Sequence, residues 1–340
     1  MTRVLVTGGA GFIGSNFVHY LLGRHPNYQV VVLDKLTYAG NLRNLESLSQ
    51  DPRLTFSHLD LCHPKVADVV KGCELVVHFA AESHVDRSIE SAREFVRTNV
   101  EGTWHVMECC RQAKVTRFVH VSTDEVYGSL GPSGKFTETS PIAPNSPYSA
   151  TKAASDLVVL SYVHTHGFPA VITRCSNNYG PYQFPEKFIP LVISQALNHQ
   201  SIPVYGDGSN VRNWIHVEDH CSALDLILHH GQIGEVYNIG GPSELRNLEV
   251  ACQILEVLRR PKTLIHFVTD RPGHDHRYAI DSSKLENALG WKAKWEFSSG
   301  LLQTIQWYEK HRDWVETARS GESAVFFQKQ YSGAVASTAG

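Results

Sequence analysis

No stretch of the 340 residues stays apolar for the roughly 18 positions a membrane helix needs, so nothing is expected to span a bilayer. A surplus of charge is also missing. Lys and Arg number 31 against 34 Asp and Glu, a formal net charge of −3, which gives no reason to expect nucleic acid or an anionic membrane as partner. The seven cysteines contain no C-x-x-C pair and no disulfide-like spacing, and Cys109 and Cys110 are adjacent. With an odd count, reduced thiols in a cytoplasmic compartment are the simplest reading. No charged leader, long apolar h-region or cleavage site precedes the first apolar run, Val4-Leu5-Val6. Histidines are many, 19, but scattered; pairs such as His164/His166 and His229/His230 lack the companions of a metal site, so no metal is expected. There is no internal repeat. What remains is an ordinary globular composition, 42% hydrophobic and 19% charged, in a chain long enough for a large single fold or two domains.

The first strand, residues 3–6, runs into Thr7-Gly8-Gly9-Ala10-Gly11-Phe12-Ile13-Gly14, which reads G-x-G-x-x-G from Gly9 and G-x-x-G-x-x-G from Gly8. Such glycines permit a tight turn, close approach of backbone N–H groups to a pyrophosphate, and packing of the next helix on the strand. That helix, about Gly14 to Gly23, would point its N-terminus at the anion. A second strand, Gln29 to Leu33, ends at Asp34, twenty residues after Gly14, where a ribose-binding acid belongs. A carboxylate there favours NAD over NADP, although Lys35 beside it offsets some of the repulsion of a 2′-phosphate. A third strand near Leu54-Thr55-Phe56 leads to Asp60 and Leu61, with Asp60 placed for the adenine edge. A fourth, Leu75 to Phe79, runs into Ala80-Ala81-Glu82-Ser83, small residues suited to close passage of a cofactor. Residues from about Ala92 to Ala113 carry Phe95, Val96, Val100, Trp104 and Met107 at helical spacing. Strands at 117–121 and 170–173 follow. This alternation predicts an α/β fold, a Rossmann-type doubly wound parallel sheet. After Arg174 prolines and glycines thicken, as in a smaller, loop-rich C-terminal substrate-binding domain. The expected division is 1–173, with 213–240 returning to it, for cofactor; 174–212 and 241–320 for substrate; and a disordered tail over 321–340.

The chemistry is expected at the end of the fifth strand, in Ser122-Thr123-Asp124-Glu125-Val126-Tyr127-Gly128, because open parallel sheets bind ligands at their C-terminal edge. Pro147 then opens a helix on which Tyr148 and Lys152 are i and i+4, one above the other. A lone Tyr-x-x-x-Lys pair is common on helices; beside the glycine motif it reads as a phenol whose pKa an ammonium ion lowers towards that of a general base. Two carboxyls side by side should titrate apart, and burial should raise both, giving one acid and one base near neutrality.

With those residues the chain resembles the extended short-chain dehydrogenases/reductases, and within them the dTDP-glucose 4,6-dehydratases. Further matching stretches are Asp34 to Leu42, Ala81-Glu82-Ser83-His84-Val85-Asp86-Arg87-Ser88-Ile89, Ser176-Asn177-Asn178-Tyr179-Gly180-Pro181 and Arg271-Pro272-Gly273-His274-Asp275, and the likeness covers about residues 3–315. Thr123-Asp124-Glu125 discriminates most sharply, since epimerases of the superfamily usually have small residues in place of the Asp-Glu pair. The resemblance implies NAD held through the cycle by Gly8, Gly11, Phe12, Ile13, Gly14, Asp34, Lys35, Thr37, Gly40, Asp60, Leu61, Phe79, Ala80, Ala81, Ser83, Asn99, Ser122, Tyr148, Lys152 and Cys175. It implies that Tyr148 and Lys152 serve oxidation at sugar C4, that Thr123 steadies the 4-oxygen, that Glu125 removes the C5 proton, and that protonated Asp124 donates to the departing 6-hydroxyl. Substrate contacts carried over are Ser83, Thr123, Asn177, Lys187, Phe188, Arg212, Asn238, Arg271 and His274, with Pro203 and Tyr205 flanking the thymine. His84 either lines the glucose pocket or makes a structural hydrogen bond, and either arginine alone reads equally as a surface ion pair. Cys175 is assigned to packing. The segment between the fourth and fifth strands is somewhat short for the family. A homodimer is implied, paired through the 92–113 and 148–164 helices with Phe95, Trp104 and Tyr162 as contacts. Alternatives are a UDP-glucose 4,6-dehydratase, a sugar-nucleotide 4-epimerase, and a catalytically silent NAD-binding regulator.

Overall fold

The computed structural model describes residues 1–319, so the expectation for 321–340 lies outside the described residues. Twelve strands occur in it: β1 Thr2–Thr7, β2 Tyr28–Asp34, β3 Leu54–His58, β4 Leu75–His78, β5 Arg117–Thr123, β6 Ala170–Cys175, β7 Asn177–Tyr179, β8 Ile202–Tyr205, β9 Val211–His216, β10 Val236–Ile239, β11 Ser243–Arg246 and β12 Ile265–Val268. Seven form one sheet in the order β10-β6-β5-β4-β1-β2-β3, every pairing parallel. The chain winds outward from β1 to β3, then crosses back to β4 and runs the other way. The reversal between β1 and β4 opens a crevice at the C-terminal ends of these strands.

Near-continuous apolar runs make this sheet, because both faces are covered. Successive side chains alternate between faces. Val4 and Val6 join Phe17, Leu21 and Leu224 beneath the helices Phe12–Arg24 and Val217–His230. Leu5 joins Val76, Met107, Phe118 and Val159 beneath Thr103–Ala113 and Pro147–His166. Each such side chain fully buried contributes about 1.5–3 kcal/mol.

Two helices position the chemistry. Pro147–His166 starts at Ser146, whose hydroxyl accepts from the Ser149 N–H while Ser149 caps back, and Pro147 presets the first turn; it stops at Gly167, in the left-handed region at φ 60°. The expected 92–113 helix is continuous but irregular: Arg93–Phe95 passes into a π-helical turn, Val96–Gly102, before the regular Thr103–Ala113. Phe95 therefore points inward (3% exposed), packed with Val85 and Tyr148, while Val96 and Trp104 face out at 51% and 46%. Phe95 is not available to a partner, contrary to the sequence expectation.

The remaining strands build a smaller unit over the active edge, a three-stranded sheet β11-β9-β7 and the pair β12-β8. Its core includes Tyr179, Ile193, Trp214, Leu255 and Tyr308. Of the segment 213–240, the helix and β10 lie with the large sheet, whereas residues 213–216 belong to β9 in the small one.

Candidate active site

The turn after β1 requires its glycines. Gly8 sits at φ 69°, and a Cβ there would come within 2.7 Å of the Ala80 backbone nitrogen. At Gly14 a Cβ would meet the Gly8 carbonyl oxygen at 2.2 Å, against the start of the helix. The result is a shallow cradle of backbone at a helix N-terminus, which fits a pyrophosphate. Asp34, at the end of β2, accepts from the Ala10 N–H at 3.0 Å and the Leu36 N–H at 2.8 Å, tying the cradle to the next loop. Burial pushes its carboxyl up, and those N–H groups pull back. The neighbouring Lys35 is drawn to Asp60 at 2.8 Å, so its charge is not spent beside Asp34. Although burial opposes it, hydrogen bonds from Lys35, the Cys62 N–H and Arg97 hold the Asp60 carboxyl at about 2. Cradle and acid together fit a dinucleotide with a free ribose hydroxyl.

A cavity of about 290 Å³ runs from this cradle along the strand ends. Of the nominated cofactor residues it is lined by Gly8, Gly11, Phe12, Ile13, Gly14, Asp34, Lys35, Thr37, Gly40, Asp60, Leu61, Phe79, Ala80, Ala81, Ser83, Ser122, Tyr148, Lys152 and Cys175. Asn99 does not line it. Its amide accepts from the Glu82 N–H (2.8 Å) and donates to the Glu82 carbonyl and the Thr151 hydroxyl (both 3.0 Å), so all its polar atoms are committed to protein. Thr98, one residue earlier in the π turn, lines the cavity instead. Cys175 donates to the Ser122 carbonyl, and burial pushes its thiol to about 12, which excludes a reactive thiolate.

At the far end β5 delivers Thr123, and a 3₁₀ turn, Asp124–Tyr127, follows at once. The Thr123 hydroxyl caps that turn, accepting from the Glu125 N–H at 3.3 Å, and also contacts Asp124 Oδ1 at 3.4 Å. Asp124 is 2% exposed, and its Oδ2 has no hydrogen-bond partner among the described residues. Burial and the adjacent Glu125 charge hold its carboxyl well above the usual range. Burial raises Glu125 as well, but Arg271, Lys187 and Arg212 pull it down. Two carboxyls with different surroundings, suited to act as acid and as base, thus sit on consecutive residues, and Glu125 faces the cavity.

Tyr148 and Lys152 reach the same cavity from the helix. Lys152 donates to the Val121 carbonyl at 2.9 Å, and burial lowers it to about 8. The expectation for Tyr148 is reversed: burial and the Glu125 charge raise its phenol well above the ordinary value, and the Thr123 hydroxyl counters this. Lys152 is aimed at the strand carbonyl rather than at the phenol.

The nominated substrate residues divide. Asn177 and Lys187 line the cavity; Asn177 Oδ1 is buried with no hydrogen-bond partner among the described residues, and Lys187 donates to the Ser83 carbonyl at 2.7 Å. Arg212 donates to the carbonyls of Val211 and Asp275 and lies 4.3 Å over the Tyr278 ring. Arg271 pairs with Asp86 at 3.5 Å, and the Tyr205 hydroxyl donates to the other oxygen of Asp86 at 3.3 Å. His274 meets the Tyr205 ring edge-on and Asp270 at 2.6 Å. His84 lies between Asp86 (3.9 Å) and Glu186 (3.5 Å), a structural setting. Phe188 stacks on Trp214, and Pro203 is half-buried in β8. Asn238 is misplaced by the sequence reading. Within β10 and fully buried, it accepts from the Tyr127 hydroxyl at 2.8 Å, donates to the Phe136 carbonyl at 3.1 Å and does not line the cavity. Missed altogether were Asp86, the shared anchor of Arg271 and Tyr205, and Tyr278 beneath Arg212. Asp86 stands inside the stretch 81–89 but carried no signal of its own.

The fold also assembles what looked scattered: ligand-type atoms of His25, Asp225 and His229 lie within 4.8 Å of one another. His25 Nε2 is 2.8 Å from Asp225 Oδ1, and His229 Nδ1 is 2.6 Å from the Asp225 backbone carbonyl of its own helix, with Nε2 2.5 Å from the Tyr28 hydroxyl. Both His229 nitrogens are spent on hydrogen bonds, so the cluster is a latch between the helix Val217–His230 and the start of β2.

Comparison with known proteins agrees with this geometry. The family described as GDP-mannose 4,6 dehydratase matches residues 5–304. A dTDP-glucose 4,6-dehydratase from Streptomyces niveus is 51% identical over 95% of this chain and 97% of its own. The low-salt glycan biosynthesis protein Agl12 of Haloferax volcanii is 54% identical over 90% and 98%. The crystal structure of DesIV, a dTDP-glucose 4,6-dehydratase from Streptomyces venezuelae solved with NAD and dTDP bound, superposes with a TM-score of 0.91 at 51% identity, covering 93% of this chain and all of that one. By sequence, by fold and by the residues at its strand ends, the chain belongs to the dTDP-glucose 4,6-dehydratase family.

Proposed function

We propose that the protein converts dTDP-glucose to dTDP-4-keto-6-deoxyglucose, a hydro-lyase reaction with recycled NAD. The arrangement that carries this reading is the buried Asp124, its Oδ2 unpartnered among the described residues, next to Glu125 at the end of a cavity that also presents Tyr148 and Lys152. The glycine cradle and Asp34 would hold the dinucleotide, and Lys152 would reach its nicotinamide ribose. Bound there, NAD accepts hydride from sugar C4 and returns it at C6.

The chain's own groups move the protons. Tyr148 takes the proton of the 4-hydroxyl as its phenolate, a form that burial and the Glu125 charge oppose and that the Thr123 hydroxyl and the Lys152 cation, present below about 8, favour. The resulting ketone acidifies the hydrogen on C5, which Glu125 removes. Asp124 gives its proton to the 6-hydroxyl, water departs, and a proton later returns to C5. Each transfer so assisted is worth about 10²–10⁴ in rate. Arg212 and Arg271 suit the diphosphate by charge and fork geometry. An epimerase needs no acid-base pair of this kind. Incubation with dTDP-glucose and, separately, UDP-glucose decides: a product with strong near-ultraviolet absorbance in alkali, formed faster from the thymidine nucleotide, is expected, and an epimerised hexose would overturn the reading.

Val96, Trp104 and Leu157 (57% exposed) put apolar surface on two neighbouring helices, which supports a homodimer formed by packing these helices on their counterparts. All seven cysteines are unpaired thiols, which supports a cytoplasmic location. No described helix is long and apolar enough to cross a membrane.

A further inference from the structure

One buried charge beside the catalytic elements takes no part in the proton transfers. Arg174, on β6, is 2% exposed and does not line the cavity. Its Nε donates to Asp156 Oδ2 at 2.9 Å and its Nη1 to the Tyr127 hydroxyl at 2.9 Å, and its guanidinium lies 4.8 Å over the Tyr127 ring. The two partners belong to the two halves of the machinery. Asp156 is one helical turn beyond Lys152 and two beyond Tyr148. Tyr127 closes the 3₁₀ turn that begins at Asp124, two residues after Glu125. On the outer side the Tyr127 hydroxyl donates to Asn238 Oδ1 at 2.8 Å, while Asp156 Oδ1 lies 3.3 Å from His120 Nε2 on β5, three residues before Thr123, without a hydrogen bond of its own among the described residues. Asp156, His120 and Asn238 are all fully buried.

We infer that Arg174 is a positioning residue that sets the distance between the carboxyl turn, Asp124–Glu125, and the Tyr148–Lys152 helix. A guanidinium is suited to this because its planar fork bonds in two fixed directions at once, which a single ammonium cannot do. Burying a charge merely to add stability is a poor use of it, since an apolar side chain of similar volume serves as well or better. A pair of sites that must act on one sugar, oxidation at C4 and elimination across C5 and C6, does need a rigid spacing, and misplacement by about 1 Å can cost about a hundredfold in rate.

Tyr127→Phe tests this with the smallest change, removing one hydroxyl while keeping the ring under Arg174 and the Arg174–Asp156 pair. Because the inference rests on the proposed dehydratase reaction, the unaltered protein is assayed alongside; if it forms no keto-deoxy product, that reading fails first. With an active parent, the variant should keep its bound NAD and show a KM within about twofold, with a modestly lowered thermal midpoint because Arg174 Nη1 and Asn238 Oδ1 lose the hydroxyl between them. Its kcat should fall about ten- to a hundredfold. Reduced nicotinamide should accumulate during turnover and solvent hydrogen should enter C5 more slowly, because oxidation proceeds while elimination lags. Arg174→Lys should show the same pattern. An unchanged kcat in Tyr127→Phe, or a lowered thermal midpoint without accumulation of reduced nicotinamide, would overturn the inference. Should Arg174→Lys not fold, Tyr127→Phe alone decides.

Discussion

Replacing Glu125 by Gln tests the division of labour between the two carboxyls. The amide keeps the shape of the side chain and removes only its charge and basicity. Burial raises this carboxyl, and three cations, Arg271, Lys187 and Arg212, favour its ionised form. Loss of a positioned general base costs about 10²–10⁴ in rate, equivalent to about 3–5 kcal/mol of barrier. The glycine cradle and Asp34 are untouched, so the purified variant should carry as much NAD as its parent. Oxidation at C4 should survive, leaving reduced nicotinamide visible and no exchange of the C5 hydrogen with solvent. The pH profile supplies a second reading. Glu125 acts as carboxylate and its pKa is raised, so activity should fall as pH drops through that raised value, and the Gln variant should lose this limb. Asp124, which burial and the Glu125 charge hold well above the usual carboxylate range, serves as the acid; Asp124→Asn should lose dehydration to a similar extent. Turnover by Glu125→Gln within tenfold of the parent, or survival of its acid limb, would refute the assignment.

Gly14→Ala should purify with little or no NAD, as judged by the absorbance of the extracted nucleotide, because the added methyl would lie 2.2 Å from the Gly8 carbonyl oxygen. His229→Ala should lower the urea midpoint in a pH-dependent way. His229 is raised from 6.5, first by its hydrogen bond to Asp225, so its contribution is complete below 6.5 and lost as pH rises through the raised value. Asp225, which burial would raise, is lowered from 3.8 by His229 and His25, so its contribution is present above 3.8 and lost as pH falls through the lowered value. The deficit of the variant should therefore be widest between those limits and shrink on either side. Trp104→Glu should convert the dimer to a monomer in light scattering; a parent that is already a strict monomer at micromolar concentration would count against the helix-paired assembly.

Local pattern carried the fold and the catalytic turn. β1, the glycine cradle and Asp34 are contiguous or regularly spaced, and a parallel sheet buried on both faces writes its strands as apolar runs. Thr123, Asp124 and Glu125 were legible because a strand end in such a sheet is a site by topology. Three readings depended on what no local pattern encodes. Asn99 and Thr98 were exchanged because the π turn rotates the helix face by about a residue. Asn238 was nominated through the family resemblance, whereas β10 buries it against Tyr127. The Tyr148 phenol was assigned a lowered pKa from its neighbour four residues on, but burial and a carboxylate from a distant segment decide its value. His25 and Asp225, 200 positions apart, could only be joined by the fold.

The π-helical turn Val96–Gly102 bears on how this architecture can vary. A π turn is a one-residue surplus absorbed inside an α-helix, so the stretches on either side keep their original facing. Deleting one residue there would leave Phe95 and Met107 in their cores, yet it would swing the Asn99 amide away from the Glu82 peptide. Relatives could thus gain or lose this loop anchor through a single-codon change, while the sheet beneath records nothing of it.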